Sequence, residues 1–70
     1  MKEIEIRGDF IKLDALLKFS ALCESGGIAK AEIQNGSVKV NGEVCLMRGK
    51  KIRNGDIIEY RGEKLKVNAG

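Results

Sequence analysis

The stretch "GSVKVNGEVCLMRGKKIRNGDIIEY", residues 36–60, contains the clearest strand and turn signals of this chain. Its residues 38–40 alternate valine with lysine, which is the pattern of a strand with one buried face. Asn41-Gly42 then favours a type I′ turn, because both central residues of that turn need positive φ. Residues 43–46 follow as the return strand, so the sequence predicts a β-hairpin.

A basic segment, "RGKKIR" at 48–53, lies downstream of the hairpin and sets four cations around a glycine and an isoleucine. Asn54-Gly55-Asp56 is a second turn signal and leads into a strand, "IIEY", at 57–60. Arg61-Gly62-Glu63 then reverses the chain into a last strand, "KLKV". We expect Ile52 to anchor the basic segment inward while its charged neighbours stay in solvent.

The residues upstream of the hairpin predict one strand and a first helix. "KEIEIR", at 2–7, alternates charged and apolar side chains, as a half-buried opening strand requires. The stretch at 10–22, "FIKLDALLKFSAL", then has apolar residues at helical spacing. The predicted inward positions of this helix are Leu13, Leu16, Leu17 and Ala21.

A second short helix is predicted between Ser25 and Gly36. Ser25 is a good N-cap, and Gly36 suits the positive φ at a helix end. Its inner face is expected to carry Ile28, Ala29 and Ile33. The whole pattern predicts an α+β domain with one N-terminal strand and two short helices packed on a small, mostly antiparallel sheet.

The length of 70 residues predicts one domain over 1–70, with too little core to enclose a cofactor. The chain has no histidine and only two cysteines, Cys23 and Cys45, which argues against a metal site. No secretory signal precedes residue 1, so we expect reduced thiols and a cytoplasmic protein. No apolar run approaches the ~20 residues that span a bilayer, so no membrane partner is expected.

Catalysis is not expected, because the chain offers no histidine base and no convincing nucleophile. Either cysteine is a conceivable reactive thiol, and Asp56 with Glu59 a conceivable carboxylate pair. Turn capping and solvent exposure explain those carboxylates more simply. The sequence therefore predicts a protein that is not an enzyme and has no catalytic residue.

The charge of the chain is uneven, although its net value is only +3. Residues 1–35 carry five cations and six acids, whereas residues 36–70 carry eight cations and four acids. The excess around the basic segment suggests a polyanionic partner. A solvated basic face that aids solubility is an equally good explanation from charge alone.

The sequence Ser25-Gly26-Gly27 lies at the expected start of the second helix. A helix N-terminus presents unpaired N–H groups and partial positive charge, and bare glycines there let a phosphate approach the backbone. Lys30, one turn further on, is placed to contact the same phosphate. The alternative is a flexible bend between the two helices.

The combination of motifs from Leu13 to Ile58 resembles the RNA-binding domain named after small-subunit ribosomal protein four. That family has a basic residue before Leu-Asp, a Ser-led second helix with an alanine inside it, then Gly-x-Val-x-Val-Asn-Gly and a later Gly-Asp-x-Ile. The matching residues here are Lys12-Leu13-Asp14, Ser25, Ala29, Gly36, Val38, Val40, Asn41-Gly42, Gly55-Asp56 and Ile58. The Ser-Gly-Gly form is similar to short stand-alone bacterial members.

The resemblance implies the alpha-L type of RNA-binding fold and a monomer that docks ribosomal or transfer RNA, or a ribosome-associated complex. The family commonly has arginine after the serine that opens the second helix, and Gly26 stands there instead. Scarce aromatic residues, assumed not to be exposed, predict recognition of RNA shape more than sequence. The expected RNA-binding residues are Lys12, Ser25, Gly26, Gly27, Lys30, Lys39, Arg48, Lys50, Lys51 and Arg53.

Two other functions remain open at this stage. A β-grasp sulfur carrier or ubiquitin-like protein is suggested by the short length and the terminal Gly70, although such carriers end in Gly-Gly and begin with a hairpin. A protein adaptor is also compatible with the basic edge, because an acidic protein surface binds cations as well as phosphate does.

Overall fold

The computed structural model describes residues 1–70 and contains seven strands and two helices. In chain order these are β1 (Lys2–Ile6), β2 (Ile11–Lys12), α1 (Leu13–Phe19), α2 (Gly26–Gln34), β3 (Val38–Val40), β4 (Glu43–Val44), β5 (Lys51–Ile52), β6 (Ile57–Tyr60) and β7 (Glu63–Ala69). Neither helix has the length and apolar character needed to cross a membrane.

Five of the strands form one sheet in the order β1-β7-β6-β3-β4, while β2 and β5 form a separate two-stranded sheet. The β1–β7 pairing is parallel, and all other pairings are antiparallel. The predicted α+β class with a mostly antiparallel sheet is confirmed.

A single cluster of buried side chains joins the helices to both sheets. Alternation along β3, β6 and β7 turns every second residue of those strands inward, as a sheet with one covered face requires. The 14 members are Ile6, Leu13, Leu16, Leu17, Cys23, Ala29, Ile33, Val38, Val40, Ile52, Ile58, Tyr60, Leu65 and Val67. The inward positions predicted for Ile52 and the three leucines of α1 are confirmed.

The hairpin at the centre of the sequence forms as predicted but with a shorter return strand. Asn41 and Gly42 have φ of 51° and 86°, as a type I′ turn requires. β4 ends at Val44 and does not reach Leu46. The Cys45 N–H still donates to the Val38 carbonyl at 3.0 Å, and the chain then turns at 47–50, where the Lys50 N–H donates to the Met47 carbonyl at 3.1 Å.

The second helix confirms its predicted cap and corrects one inward position. The Ser25 hydroxyl oxygen accepts a hydrogen bond from the Ile28 N–H at 3.2 Å, and Ala29 and Ile33 are buried. Ile28 is 44% exposed, so its predicted place on the inner face is wrong. Ala29 and Ile33, four positions apart, set the buried stripe, and Ile28 lies about 100° around the helix from Ala29.

The end of the first helix corrects the prediction for Ala21. α1 ends at Phe19, and Ala21 is exposed with φ of 63°, in the left-handed region that ends many helices. Its N–H donates to the Lys18 carbonyl at 3.0 Å, so this carbonyl of the last helical turn has a hydrogen-bond partner. Helical spacing placed Ala21 inward only on the assumption that the helix continued.

The small β2–β5 sheet was not predicted. Ile11 faces Ile52 in its register, and Lys12 faces Lys51. Two further backbone bonds extend the contact onto α1, from Leu13 N–H to the Lys50 carbonyl at 2.9 Å and from Asp14 N–H to the Arg48 carbonyl at 3.1 Å. The basic segment is therefore laid along the start of the first helix.

Candidate nucleic-acid interface

The basic segment, residues 48–53, has a backbone that is bonded to the rest of the domain and four charged side chains that face solvent. Ile52 is fully buried, whereas all four cations of the segment are exposed. The hydrogen bonds to β2 and α1 hold the backbone on one side. The cations consequently project from a backbone that is hydrogen-bonded to β2 and α1.

Lys12 and Lys51 stand directly opposite each other on β2 and β5. Like charges at directly opposed positions destabilise an antiparallel pair. Neither ammonium group has a carboxylate within 4.0 Å to offset the repulsion. The pair therefore leaves two positive charges on adjacent strands without a carboxylate partner from the chain.

Arg48 differs from the other cations of the segment because it has an acidic neighbour. Its Nη1 lies 4.0 Å from Oδ2 of Asp14, at the start of α1. An exposed pair at this distance contributes about 0–1 kcal/mol, which orients the guanidinium without removing it from solvent. The sequence gave no sign of this pairing, because the β2–β5 sheet that brings the two residues together was not predicted.

The two turn motifs of the sequence meet in a hydrogen-bonded pair, which we call the Asn41–Asp56 bridge. Asn41 Nδ2 donates to Asp56 Oδ1 at 3.1 Å, and the Ile57 N–H donates to Asn41 Oδ1 at 2.9 Å. The other carboxylate oxygen of Asp56 accepts from the Arg53 N–H at 2.8 Å. The bridge thus ties the end of the basic segment to the hairpin turn, a role that the turn signals alone did not indicate.

Phe10 is a neighbour of the basic segment that sequence reasoning missed. The Lys51 Nζ lies 4.8 Å and the Arg53 Cζ 5.7 Å from the centroid of its ring, both at cation–π distance. Phe10 is 39% exposed and Phe19 is 61% exposed. The expectation of a surface without exposed aromatic rings is therefore wrong. Phe19 faces outward because Leu13, Leu16 and Leu17 define the buried side of α1.

The Ser-Gly-Gly sequence forms the start of a helix and not a flexible bend, because α2 begins at Gly26. The N–H groups of Gly26 and Gly27 have no hydrogen-bond partner within the chain. A Cβ added at Gly26 would meet nothing within 4 Å, so packing does not require glycine there. Lys30 is exposed one turn later and forms no ion pair.

Lys39 lies apart from the other predicted residues. It projects from the solvent face of the five-stranded sheet, between the buried Val38 and Val40, and its cross-strand neighbour is Glu59. The other predicted cations lie on β2, on α2 and in the basic segment. The structure thus does not bring Lys39 into the group that the sequence assigned to it.

A second polar cluster joins α2 to the turn between β6 and β7. Arg61 Nη2 donates to Glu32 Oε1 at 3.1 Å. Hydrogen bonding by Ser37 lowers the pKa of the Glu32 carboxyl, and burial raises the pKa of Tyr60 and of the Cys23 thiol. A raised pKa favours the neutral thiol, which is the opposite of what activates a nucleophilic cysteine.

A family model described as the S4 domain matches residues 4–68 of the chain. The chain belongs to the S4 domain family. The match includes all ten residues predicted to bind RNA, both members of the Asn41–Asp56 bridge, and the two exposed phenylalanines.

Relatives of this S4 domain include a short protein and a segment of a large enzyme. The probable ribosome maturation protein RlbA of Bacillus subtilis (strain 168) is 37% identical over 59 residues, which cover 84% of this chain and 83% of that protein. The tyrosine–tRNA ligase of Ralstonia nicotianae is 34% identical over 62 residues, which cover 89% of this chain and 16% of the ligase. The S4 domain therefore corresponds to one part of that enzyme.

A solved structure shares the fold of this S4 domain. The solution structure of YbcJ from E. coli superposes with a TM-score of 0.75 at 33% identity, over 99% of this chain and 89% of YbcJ. YbcJ is described as having an alpha-L motif involved in RNA binding. The predicted family and the predicted alpha-L type of fold are both confirmed.

Proposed function

We propose that this S4 domain binds structured RNA, either ribosomal RNA or a ribosome-associated complex. The observation that carries the proposal is the Lys12–Lys51 pair, two unneutralised charges facing each other on a fixed backbone. The relatives support it, because one is named for ribosome maturation, one is a tRNA ligase, and the solved structure has an RNA-binding motif.

Phosphate groups would be the principal ligands of this surface. Lys50, Lys51 and Arg53 have no carboxylate within 4.0 Å, so binding a phosphate disrupts no existing ion pair. The buried Ile52 and the Asn41–Asp56 bridge fix the backbone that carries these cations, which lowers the backbone entropy lost on association.

The N-terminus of α2 supplies the second part of the proposed surface. The free N–H groups of Gly26 and Gly27, with the ammonium group of Lys30, are suited to one phosphate. Ser25 contributes by capping the helix that presents them. Lys39 is the weakest candidate of the set, since Glu59 faces it on the outer side of the sheet.

We also propose that the protein acts by binding RNA and not by catalysis. It would do so as a monomer in the cytoplasm, with residues 1–70 forming one domain. The β-grasp alternative is not supported, because no hairpin precedes the helices and the chain matches the S4 domain family instead. Gly70 also continues the β1–β7 contact, its N–H donating to the Ile6 carbonyl at 3.4 Å.

The salt dependence of RNA binding tests the proposal. If about four to six phosphates are neutralised, log affinity should fall with log salt at a slope of about 3 to 5. The double variant Lys12→Ala, Lys51→Ala should bind ribosomal RNA more weakly, and its slope should be smaller by about 1.4 to 1.8. Fluorescence anisotropy at several salt concentrations measures both quantities.

The matched control is Lys64→Ala, Lys66→Ala, which removes two exposed, unpaired lysines from the solvent side of β7. Affinity and slope should stay near the wild-type values in this control. Binding that does not change between roughly 50 and 200 mM salt, or an equal loss in both variants, would show that the proposed surface is wrong.

A further inference from the structure

The two exposed phenylalanines line one open groove beside the basic segment. The groove has a volume of about 400 Å³ and is lined by Glu5, Ile6, Arg7, Phe10, Ile11 and Phe19. Sites for small ligands span about 300–1,000 Å³, so the space is sufficient for a planar ring of moderate size. Exposed aromatic rings gathered in a groove are a feature of binding surfaces.

The charges around this groove favour an anionic ligand. Lys51 and Arg53 lie over the Phe10 ring, and Arg7 lines the groove itself. Glu5 is the one acid in the lining, and it lies more than 4.0 Å from the Arg7 guanidinium. An apolar groove with a cationic border is complementary to a flat ring attached to phosphates.

We infer that the groove binds an unpaired nucleobase of the RNA. This inference rests on the proposed function and makes the RNA class specific, since a base inside a continuous duplex cannot reach the groove. The base stacks on Phe19 and Phe10, while Lys51 and Arg53 contact the phosphates on either side of it. The preferred RNA thus has a bulge, a loop or a single-stranded end next to a helix.

Stacking on phenylalanine tolerates every base, because each base has an aromatic face. The groove therefore selects unpaired nucleotides over paired ones without reading a particular sequence. Such a groove adds recognition of unpaired bases to the recognition of duplex shape. Recognition of shape alone was the expectation when no aromatic ring was assumed to be exposed.

Two RNA hairpins test the inference, one fully paired and one identical except for a single bulged adenosine. Wild-type protein should bind the bulged hairpin about 5- to 150-fold more tightly, the range that one stacked base contributes. Phe19→Leu should abolish most of this preference, so that the ratio of the two affinities approaches one. Phe19→Tyr retains an aromatic ring and should keep the preference.

A second measurement uses the wild-type protein only and does not depend on how a variant folds. With 2-aminopurine in place of the bulged adenosine, stacking in the groove should change the emission on binding, and unchanged emission would overturn the inference. Equal affinity of wild type for the two hairpins, with a normal salt slope, would also overturn it and leave the proposed function intact. Failure to bind either hairpin would overturn both.

Discussion

Gly26 is a position at which neither packing nor backbone conformation requires glycine. Its φ is not in the left-handed region, and a Cβ there would meet nothing within 4 Å. Glycine in a helix is less favourable than alanine by about 0.5–1 kcal/mol. The fold would tolerate alanine, and in the proposed function the bare backbone at this position lets a phosphate approach closely.

The variant Gly26→Ala should therefore raise stability and weaken RNA binding. The free energy of unfolding should increase by up to about 1 kcal/mol, measured by urea denaturation. The Kd for ribosomal RNA should rise by roughly ten-fold, the effect of losing one hydrogen bond to a charged group.

Ala31→Gly is the matched control for this prediction, because Ala31 is exposed in the same helix. It should lower stability and leave the Kd unchanged. If Gly26→Ala gained stability with no change in Kd, the backbone at Gly26 would have no part in binding RNA.

The residues of the candidate site were predictable to different degrees. The cations were evident from composition, and the inward position of Ile52 followed from its place between charged neighbours. Phe10 was not recognised, because its relation to Lys51 and Arg53 depends on a contact between distant parts of the chain. A lone aromatic residue before a strand carries no such signal in sequence.

The Asn41–Asp56 bridge connects two elements, the β3–β4 hairpin turn and the turn before β6. Because the Arg53 N–H donates to Asp56, the bridge also holds the backbone at the end of the basic segment. Two motifs that look like independent turn signals are thus one structural unit.

Replacing Asp56 with alanine should loosen the basic segment without removing any cation. The variant leaves the Arg53 N–H and the Asn41 amide without their acceptor. The free energy of unfolding, measured by urea titration, should therefore fall by about 1–3 kcal/mol. RNA affinity should fall while the salt slope stays near the wild-type value, because the same phosphates are neutralised.

Asp56→Asn, which keeps one carbonyl oxygen as an acceptor, should recover part of both losses. A salt slope that fell together with the affinity in Asp56→Ala would mean that phosphate contacts had been lost. That result would contradict a purely positioning role for the bridge.

Among the elements, the hairpin turns and the long strands followed from local signals such as Asn41-Gly42. The β2–β5 sheet did not, because each strand has only two residues and no alternation can show in so short a run. Its pairing depends on Ile11 and Ile52 meeting in the core, which is a property of the folded chain.

Cys23 and Cys45 differ in how much of each side chain is exposed, so their alkylation rates depend differently on opening of the folded domain. Cys23 is 3% exposed within the core, and burial raises the pKa of its thiol, whereas Cys45 is half-buried. Alkylation at Cys23 requires the core to open, and the thiolate that reacts is scarcer in the folded state at a given pH.

Iodoacetamide should consequently modify Cys45 first, with Cys23 slower by at least about a hundred-fold for a small domain of ordinary stability. Mass spectrometry of the two peptides measures the rates. The difference should disappear in concentrated urea, and the pH at which Cys23 begins to react should fall on unfolding. Similar rates for the two thiols in buffer would mean that the core opens locally around Cys23.

The parallel pairing of β1 with β7 has a consequence for the time course of folding. Lys2 meets Leu65 and Ile6 meets Ala69, so the first strand in the chain pairs only with the last. The helices and the β3–β6 region rely on much shorter loops and can form earlier, since long loops must close before distant contacts stabilise them. During synthesis, β1 therefore has no partner strand until β7 has been made.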